Sequence, residues 1–394
     1  MRNAQVIPAN RVQWKSQSVF KFIHSSDLHL GKPFGRFPED VRVRLRQARA
    51  ETLPRLASLA REHGAGHILL AGDTFDQTTP APAVIRQALN RMREAEDVTW
   101  VVMPGNHDHA NATELWRQVA RDAPPNVVLL LQPEPFALNA ETTLLPAPPT
   151  ERHPGRDLTE WFDSAETADR LRIGLAHGSV TEFDNSEDGG SSVIAPDRAR
   201  RAGLAYLGLG DWHGQLQIGP ETWYSGAPEA DGFKHSETPA ALLVELPGKT
   251  APARVTSLPT GVISWRRVML ELSDDPADRN DCTAAHEALL PSLPERASTL
   301  FDLVVSGRAK PLDRVALENA IAGAAPDFLW HRADLSALGL VHDTTDLDAI
   351  DRQGALRAAA EALAREAEDE SLPPETRETA QAALSHLFSL ALEA

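Results

Sequence analysis

The chain has 394 residues, 42% of them hydrophobic and 24% charged, enough for one large domain plus a smaller appended one. Its formal net charge of -17 counts against a free-standing nucleic-acid binder, because neutralisation of phosphates by basic residues supplies most of that affinity. It does not count against a chain that cuts nucleic acid held by a partner, and surplus carboxylates suit a site for divalent cations.

The only cysteine, Cys282, rules out an internal disulfide and any site built from several cysteines. Residues 1–18 lack the long apolar run of a secretory signal, and no later run reaches membrane-spanning length. A cytoplasmic setting without membrane contact is therefore expected.

In chain order, residues 1–18 are polar and aperiodic and read as a loose extension. Val19–His24 predicts a strand running into Ser25, Ser26, Asp27, Leu28 and His29. Val41–Glu62 has the Val, Leu and Ala spacing of a helix, and His67–Ala71 predicts a strand ending in Gly72-Asp73. Ala81–Ala95 predicts a helix, and Val98–Met103 a strand leading into Pro104, Gly105, Asn106, His107 and Asp108. Such alternation argues for an α/β layered domain. Further on, Leu171–Ala176 leads into His177, and Ala205–Leu209 into Gly210, Asp211, Trp212 and His213. Trp223–Gly226 and Ala240–Glu245 continue the extended pattern, while Thr181–Ser192, acidic and rich in Gly and Ser, predicts a mobile loop.

Near residue 262 the character changes. Val262–Leu272 and Leu300–Gly307 predict strands and Asp281–Leu290 a helix, together a small α+β unit. Ala349–Ala394 is rich in Ala, Leu and Glu and is broken by Leu372-Pro373-Pro374, which predicts two helices joined by a turn.

Every polar cluster follows an apolar strand, which places it at the carboxyl ends of strands, where ligands bind in open α/β sheets. Five segments thus deliver carboxylates, an amide and imidazoles to one edge, a set that suits manganese, iron or zinc. Two ions about 3.5–4 Å apart, joined by a bridging carboxylate, clamp an in-line displacement at phosphorus. Singly, each residue has a plainer reading: Asp27 or Asp73 as a helix cap, Gly105-Asn106 as a turn, His177 as an interior histidine. Their order and their shared position after strands favour the site. His24 is read as packing or hydrogen bonding locally, His109 as an exposed neighbour of the site, and Trp212 as core packing in preference to a stacking platform for a base.

Asp-x-His at 27–29, Gly-Asp-x-x-Asp at 72–76, Gly-Asn-His-Asp at 105–108, His177 and Gly-x-x-His at 210–213 resemble the calcineurin-like metallophosphoesterase superfamily, in order, over about residues 19–245. Phe22–Gly31 and Gly72–Asp76 are similar to SbcD-type DNA exonucleases, and Lys32-Pro33-Phe34 leans toward their YhaO branch. The resemblance implies a four-layer metallophosphoesterase sandwich, two central mixed β-sheets flanked by helices, over residues 19–260. It implies a small α+β cap domain over 261–345 and C-terminal helices over 346–394.

Carried over by motif, Asp27, His29 and His213 would hold one metal, Asp73 would bridge, and Asn106 and His177 would hold the second. Manganese is the first expectation, with iron or zinc as alternatives. His107 matches the histidine that stabilises or protonates the departing oxygen, Asp108 would orient it, and Asp76 would support the ligands from behind. The implied nucleophile is a hydroxide held between the ions. The family pattern at the last motif is Gly-His-x-His, whereas Asp211 stands here for the first His. Its carboxylate can still reach the second metal, with a shorter arm and an added negative charge. The resemblance further implies DNA as substrate, a role in DNA repair, an SbcC/YhaN-type coiled-coil ATPase as partner and a homodimer. The alternative is a small-molecule phosphodiesterase or phosphatase on the same core; such enzymes often lack a cap and a terminal helix pair. A non-catalytic scaffold is disfavoured by the intact ligand set.

Overall fold

The computed structural model of the chain describes residues 19–180, 193–234, 238–249, 251–273, 281–340, 354–369 and 371–393. The expected extension 1–18, the expected loop 181–192 and the start of the C-terminal stretch, 349–353, lie outside the described residues. The chain divides into two compact units, residues 1–230 with 237–261, and residues 231–236 with 262–394.

In the first unit, β1 (Phe20–Ser25), β2 (His67–Ala71), β3 (Thr99–Met103) and β4 (Val127–Leu129) are parallel neighbours. Parallel pairing requires crossovers, supplied by helices α1 (Glu39–Ala50), α2 (Thr52–His63), α3 (Pro82–Arg93) and α4 (Thr113–Asp122). The second sheet is built from β5 (Phe136–Ala137), β6 (Thr142–Ala147) and β7 (Leu171–His177). After the short pair β8 (Ser179–Val180) and β9 (Val193–Ile194), it continues with β10 (Tyr206–Gly210), β11 (Leu216–Gly219) and β12 (Thr222–Tyr224). The chain then returns to the first sheet through β13 (Ala240–Leu246) and β14 (Arg254–Pro259). The strand orders are β14-β13-β1-β2-β3-β4 and β11-β12-β10-β7-β6-β5. The first sheet is parallel from β1 to β4 with antiparallel β13 and β14 on one side, and the second has a parallel centre and two antiparallel edges, so both are mixed.

Strand alternation decides the layers. Phe22, Leu69 and Val101 meet Leu144, Ile173, Leu175 and Tyr206 between the two sheets. Their chain neighbours Ile23, Ile68, Leu70 and Trp100 face the other way, onto Leu53, Leu56, Ile85, Leu89 and Trp116 of α2–α4. The outer face of the second sheet has a thinner cover, a 3-10 turn at Glu160–Ser164 and a short helix at Arg198–Arg201, packed through Phe162 and Ala199. The expected α/β architecture of two mixed sheets flanked by helices is the one adopted.

The single helix expected over 41–62 is two, broken at Glu51. Pro54 has no N–H to donate to the Ala50 carbonyl, so the α1 ladder cannot run on, while a proline in the first turn of α2 is tolerated. Gly64, at φ 66°, ends α2 in the left-handed conformation that glycine adopts without strain.

The second unit holds a parallel sheet of β15 (Ser264–Leu272), β16 (Thr299–Ala309) and β17 (Trp330–Leu340). The helices Cys282–Leu289 and Pro311–Ala324 cover one face through Leu317 and Ile321 against Leu270, Phe301, Leu303 and Leu338. The terminal helices Ala355–Glu368 and Pro374–Glu393 pack through Ala360 and Leu384 with Leu340. Among the described residues no helix is long and apolar enough to cross a membrane.

His24, on β1, lies between the sheets with Nδ1 2.8 Å from the Tyr206 hydroxyl, the local hydrogen bond expected of it. Burial pushes its pKa down to about 3, against 6.5 for the free side chain. A depressed histidine pKa favours folding only while the ring is neutral. That contribution is complete above about 6.5 and is lost as pH falls towards 3. His24→Gln, neutral at every pH, is expected to flatten the loss of stability between pH 6.5 and 4, read from denaturant midpoints. An unchanged pH dependence would remove His24 as its source.

Candidate metal centre

Register fixes which residues reach the site. β2 and β3 end together, with Ala71 paired to Met103, and β7 and β10 end together, with His177 paired to Gly210. The loops leaving these ends cross-link: the Asp27 N–H donates to the Gly72 carbonyl at 3.1 Å, and the His29 N–H to the Asp73 carbonyl at 2.9 Å. Asp27, His29, Asp73 and Asp211 all take positive φ (56°, 43°, 52° and 99°), which costs a side-chain-bearing residue about 1–2 kcal/mol each. Strain of this kind gathers at ligand-holding sites, and four of the seven expected metal ligands carry it. Close approach of the loops also needs glycine. A methyl at Gly105 would strike the Asp73 carboxylate and backbone nitrogen, and one at Gly210 the Ala71 carbonyl.

Asp73 occupies the middle. Its Oδ2 lies 3.7 Å from His29 Nε2 and 3.6 Å from His177 Nε2, while Oδ1 accepts the His107 N–H at 2.9 Å. On one side, Asp27, His29 and His213 gather, with His29 Nε2 and His213 Nε2 3.2 Å apart and His213 Nε2 3.9 Å from Asp27 Oδ1. Two ring nitrogens at that separation suit one shared ion at an ordinary bond length of about 2.0–2.1 Å. On the other side, His177 Nδ1 donates to the Ala71 carbonyl at 2.8 Å, which leaves Nε2 as the lone-pair nitrogen. That Nε2 is buried without a hydrogen-bond partner, and so is Asn106 Oδ1. Asn106 Nδ2 donates to Asp211 Oδ1 at 3.2 Å, and this oxygen is 3.8 Å from His177 Nε2. All seven expected ligands come together. An imidazole nitrogen and an amide oxygen, both buried and unsatisfied among carboxylates, are what a divalent cation would satisfy, so the donor set fits divalent metal.

The electrostatics follow from crowding. Burial pushes the Asp73 carboxyl well above the usual range, and Asp108 and Asp27 add to it. Burial disfavours a charged His177, yet Asp73, Asp27 and Asp211 outweigh it and hold the imidazole at about 9. The carboxylates that would attract a cation thus attract a proton to this ring. Burial, with the His213 and Arg49 charges, takes His29 well below its ordinary value.

Three expectations are corrected. Asp108 does not orient His107. Its oxygens accept the Gly105 N–H at 2.7 Å and the Phe75 N–H at 3.0 Å, so it pins two loops together, and burial raises it to about 6. His107 is oriented instead by the Asp76 main-chain carbonyl, 2.9 Å from its Nδ1, and its ring stands edge-on to His29 at 4.9 Å. The Asp76 carboxylate lies 3.3 Å from His29 Nδ1, behind that ligand as expected. Trp212 is not core packing but 40% exposed, because the Asp211–His213 loop turns at positive φ and sends the residue between them outward. His109 is half-buried rather than exposed, on the loop whose carbonyl accepts the Trp116 indole N–H at 3.1 Å.

One contributor escaped the sequence reading. Arg49 is fully buried and donates to the Leu28 carbonyl at 2.6 Å and the Glu229 carbonyl at 3.2 Å, bracing the first motif from behind. Its spacing with Val41 and Leu45 on the buried stripe of α1 was the available signal.

The fold is of the layered α/β class, and its converging carboxylates, imidazoles and amide are a donor set suited to divalent metal. Residues 20–210, just under half of the chain, match the family model of the calcineurin-like phosphoesterases. The chain is 26% identical to the uncharacterized metallophosphoesterase YhaO of Bacillus subtilis (strain 168), over 57% of this chain and 57% of that protein. It thus spans little more than half the length of that relative. It is 23% identical to the SbcD component of the nuclease SbcCD from the same organism, over 62% of this chain and 72% of the relative. The crystal structure of TT1561 from Thermus thermophilus aligns with 61% of this chain and 99% of its own, at 14% identity and a TM-score of 0.41.

Asp108→Ala is expected to cost about 2–4 kcal/mol of stability, since two buried N–H groups lose a charged acceptor. Unchanged stability with a loss of activity alone would return Asp108 to the orienting role.

Proposed function

We propose that the chain is a two-metal phosphodiesterase that hydrolyses DNA as an exonuclease or endonuclease component in DNA repair. The observation that carries this reading is Asp73 Oδ2, within 3.7 Å of ring nitrogens from two separate ligand groups. Asp27, His29 and His213 would hold one ion and Asn106, His177 and Asp211 the other, with Asp73 placed between the two groups. Bound manganese, with iron or zinc as alternatives, would supply charge neutralisation at the phosphate and an activated water. His107 meets the departing oxygen through Nε2, its tautomer set by the Asp76 carbonyl at Nδ1.

Two observations favour DNA over a small ester. One of the relatives is named as part of a nuclease. Trp212, exposed between Asp211 and His213, offers a flat apolar face on which any base stacks. A charge of -17 leaves most of the grip on DNA to a partner, an SbcC/YhaN-type coiled-coil ATPase in the cytoplasm; the homodimer of this reading adds no net positive charge to it. In this reading residues 261–345 are the cap domain, and the helices within 346–394 dock the ATPase.

The test is manganese-dependent digestion of end-labelled linear DNA, with bis-p-nitrophenyl phosphate in parallel. Both are expected to be cleaved, and His107→Ala is expected to slow both by about a hundredfold or more while metal content holds. Cleavage of the small ester alone, even with the ATPase added, would favour a small-molecule phosphodiesterase. Unchanged turnover of the variant would remove His107 from the mechanism.

A further inference from the structure

The segment after β6 returns to the site. The Pro149 carbonyl accepts the Ala110 N–H at 2.7 Å, which ties this segment to the loop carrying Asn106 and His107. Three residues on, Arg152 is exposed, makes no ion pair among the described residues, and stands close enough for its charge to act on the His107 ring. A second cation attends the other ring of the edge-on pair. Lys32 follows His29 by three residues and is partly exposed. Its Nζ lies 3.9 Å from Asp76 Oδ1, the oxygen that also faces His29 Nδ1 at 3.3 Å. One solvent-reaching cation thus stands beside His29 and one beside His107.

A small phosphodiester carries a single negative charge, which the ions of the centre already neutralise. A polymer brings a further charge on each side of the bond to be cut, and these fall beyond the ions' contact. In a chain of charge -17, with three aspartates lining the centre, those charges meet repulsion unless cations stand at the rim. We propose that Lys32 and Arg152 grip the phosphate groups adjoining the scissile one, and so select a polyanionic phosphodiester over a small ester. The inference rests on the phosphodiesterase reading above. Arginine suits the task through its planar fork, which meets a phosphate through two hydrogen bonds, and lysine as a point charge.

The test uses the full chain with manganese, unsubstituted and as Arg152→Ala, Lys32→Ala and Arg152→Lys. Steady-state rates are read on an end-labelled oligonucleotide and on bis-p-nitrophenyl phosphate between about 50 and 200 mM salt. Each alanine variant is expected to lower the ratio of kcat/KM for the oligonucleotide to that for the small ester. Each is also expected to reduce the slope of log kcat/KM against log salt by about 0.7–0.9, one phosphate contact, which is roughly a threefold smaller salt effect over that range. Arg152→Lys is expected to restore most of both. Equal losses on both substrates with an unaltered salt slope would overturn the inference, as would a displaced pH profile on the small ester, which would make Arg152 a tuner of His107. An unsubstituted protein that turns over the small ester but no oligonucleotide, even with the ATPase added, would overturn the DNA reading itself, and this inference with it.

Discussion

A single buried carboxylate, that of Asp73, ties together the loops that form this site. Gly72, at φ 95°, turns the chain at the end of β2, and a methyl there would strike the His177 ring. The turn puts Asp73 in the left-handed conformation with one oxygen between His29 and His177 and the other on the His107 N–H. Its carbonyl accepts the His29 N–H. Segments from β1, β2, β3 and β7 are therefore referred to one residue. Removing such a group from water is costly unless positive charge and donors surround it, which explains why imidazoles and backbone N–H groups crowd there.

The rest of the first unit holds that residue still. Register between parallel strands brings Ala71 level with Met103 and His177 level with Gly210, and a slip of one residue would turn every ligand-bearing loop to the wrong face. Asp108 adds a second, purely structural carboxylate that joins the loops after β2 and β3 through the Phe75 and Gly105 N–H groups. From the helix layer, Arg49 closes the back of the first motif. Two buried charges that touch no proposed ligand ion thus fix the geometry of those that do.

Much of this was legible in the sequence because strands with short polar ends announce themselves: apolar runs at 20–25, 67–71, 99–103, 171–177 and 206–210 each deliver a ligand at or just beyond the last residue. What stayed hidden concerns direction. Which way a side chain points after a strand depends on the sign of φ, and positive φ at Asp27, His29, Asp73 and Asp211 is invisible in residue identities. Asp108 therefore read as the partner of His107 when it faces backbone amides, and Trp212 read as core when it is exposed. The break at Glu51 was encoded in Pro54 but masked by the continuous apolar spacing of 41–62. Strand β17 alternates partly buried Trp330, His331, Ala333 and Leu335 with exposed Arg332, Asp334 and Ser336, too weak an apolar run to stand out before its sheet is known.

The central claim, that Asp73 bridges two ions, is tested most directly by anomalous scattering from crystals grown with manganese. The account requires two peaks about 3.5–4 Å apart with Asp73 Oδ2 between them, one beside His29 and His213 and one beside Asn106 and His177. A single peak, or two peaks that do not share Asp73, would contradict it.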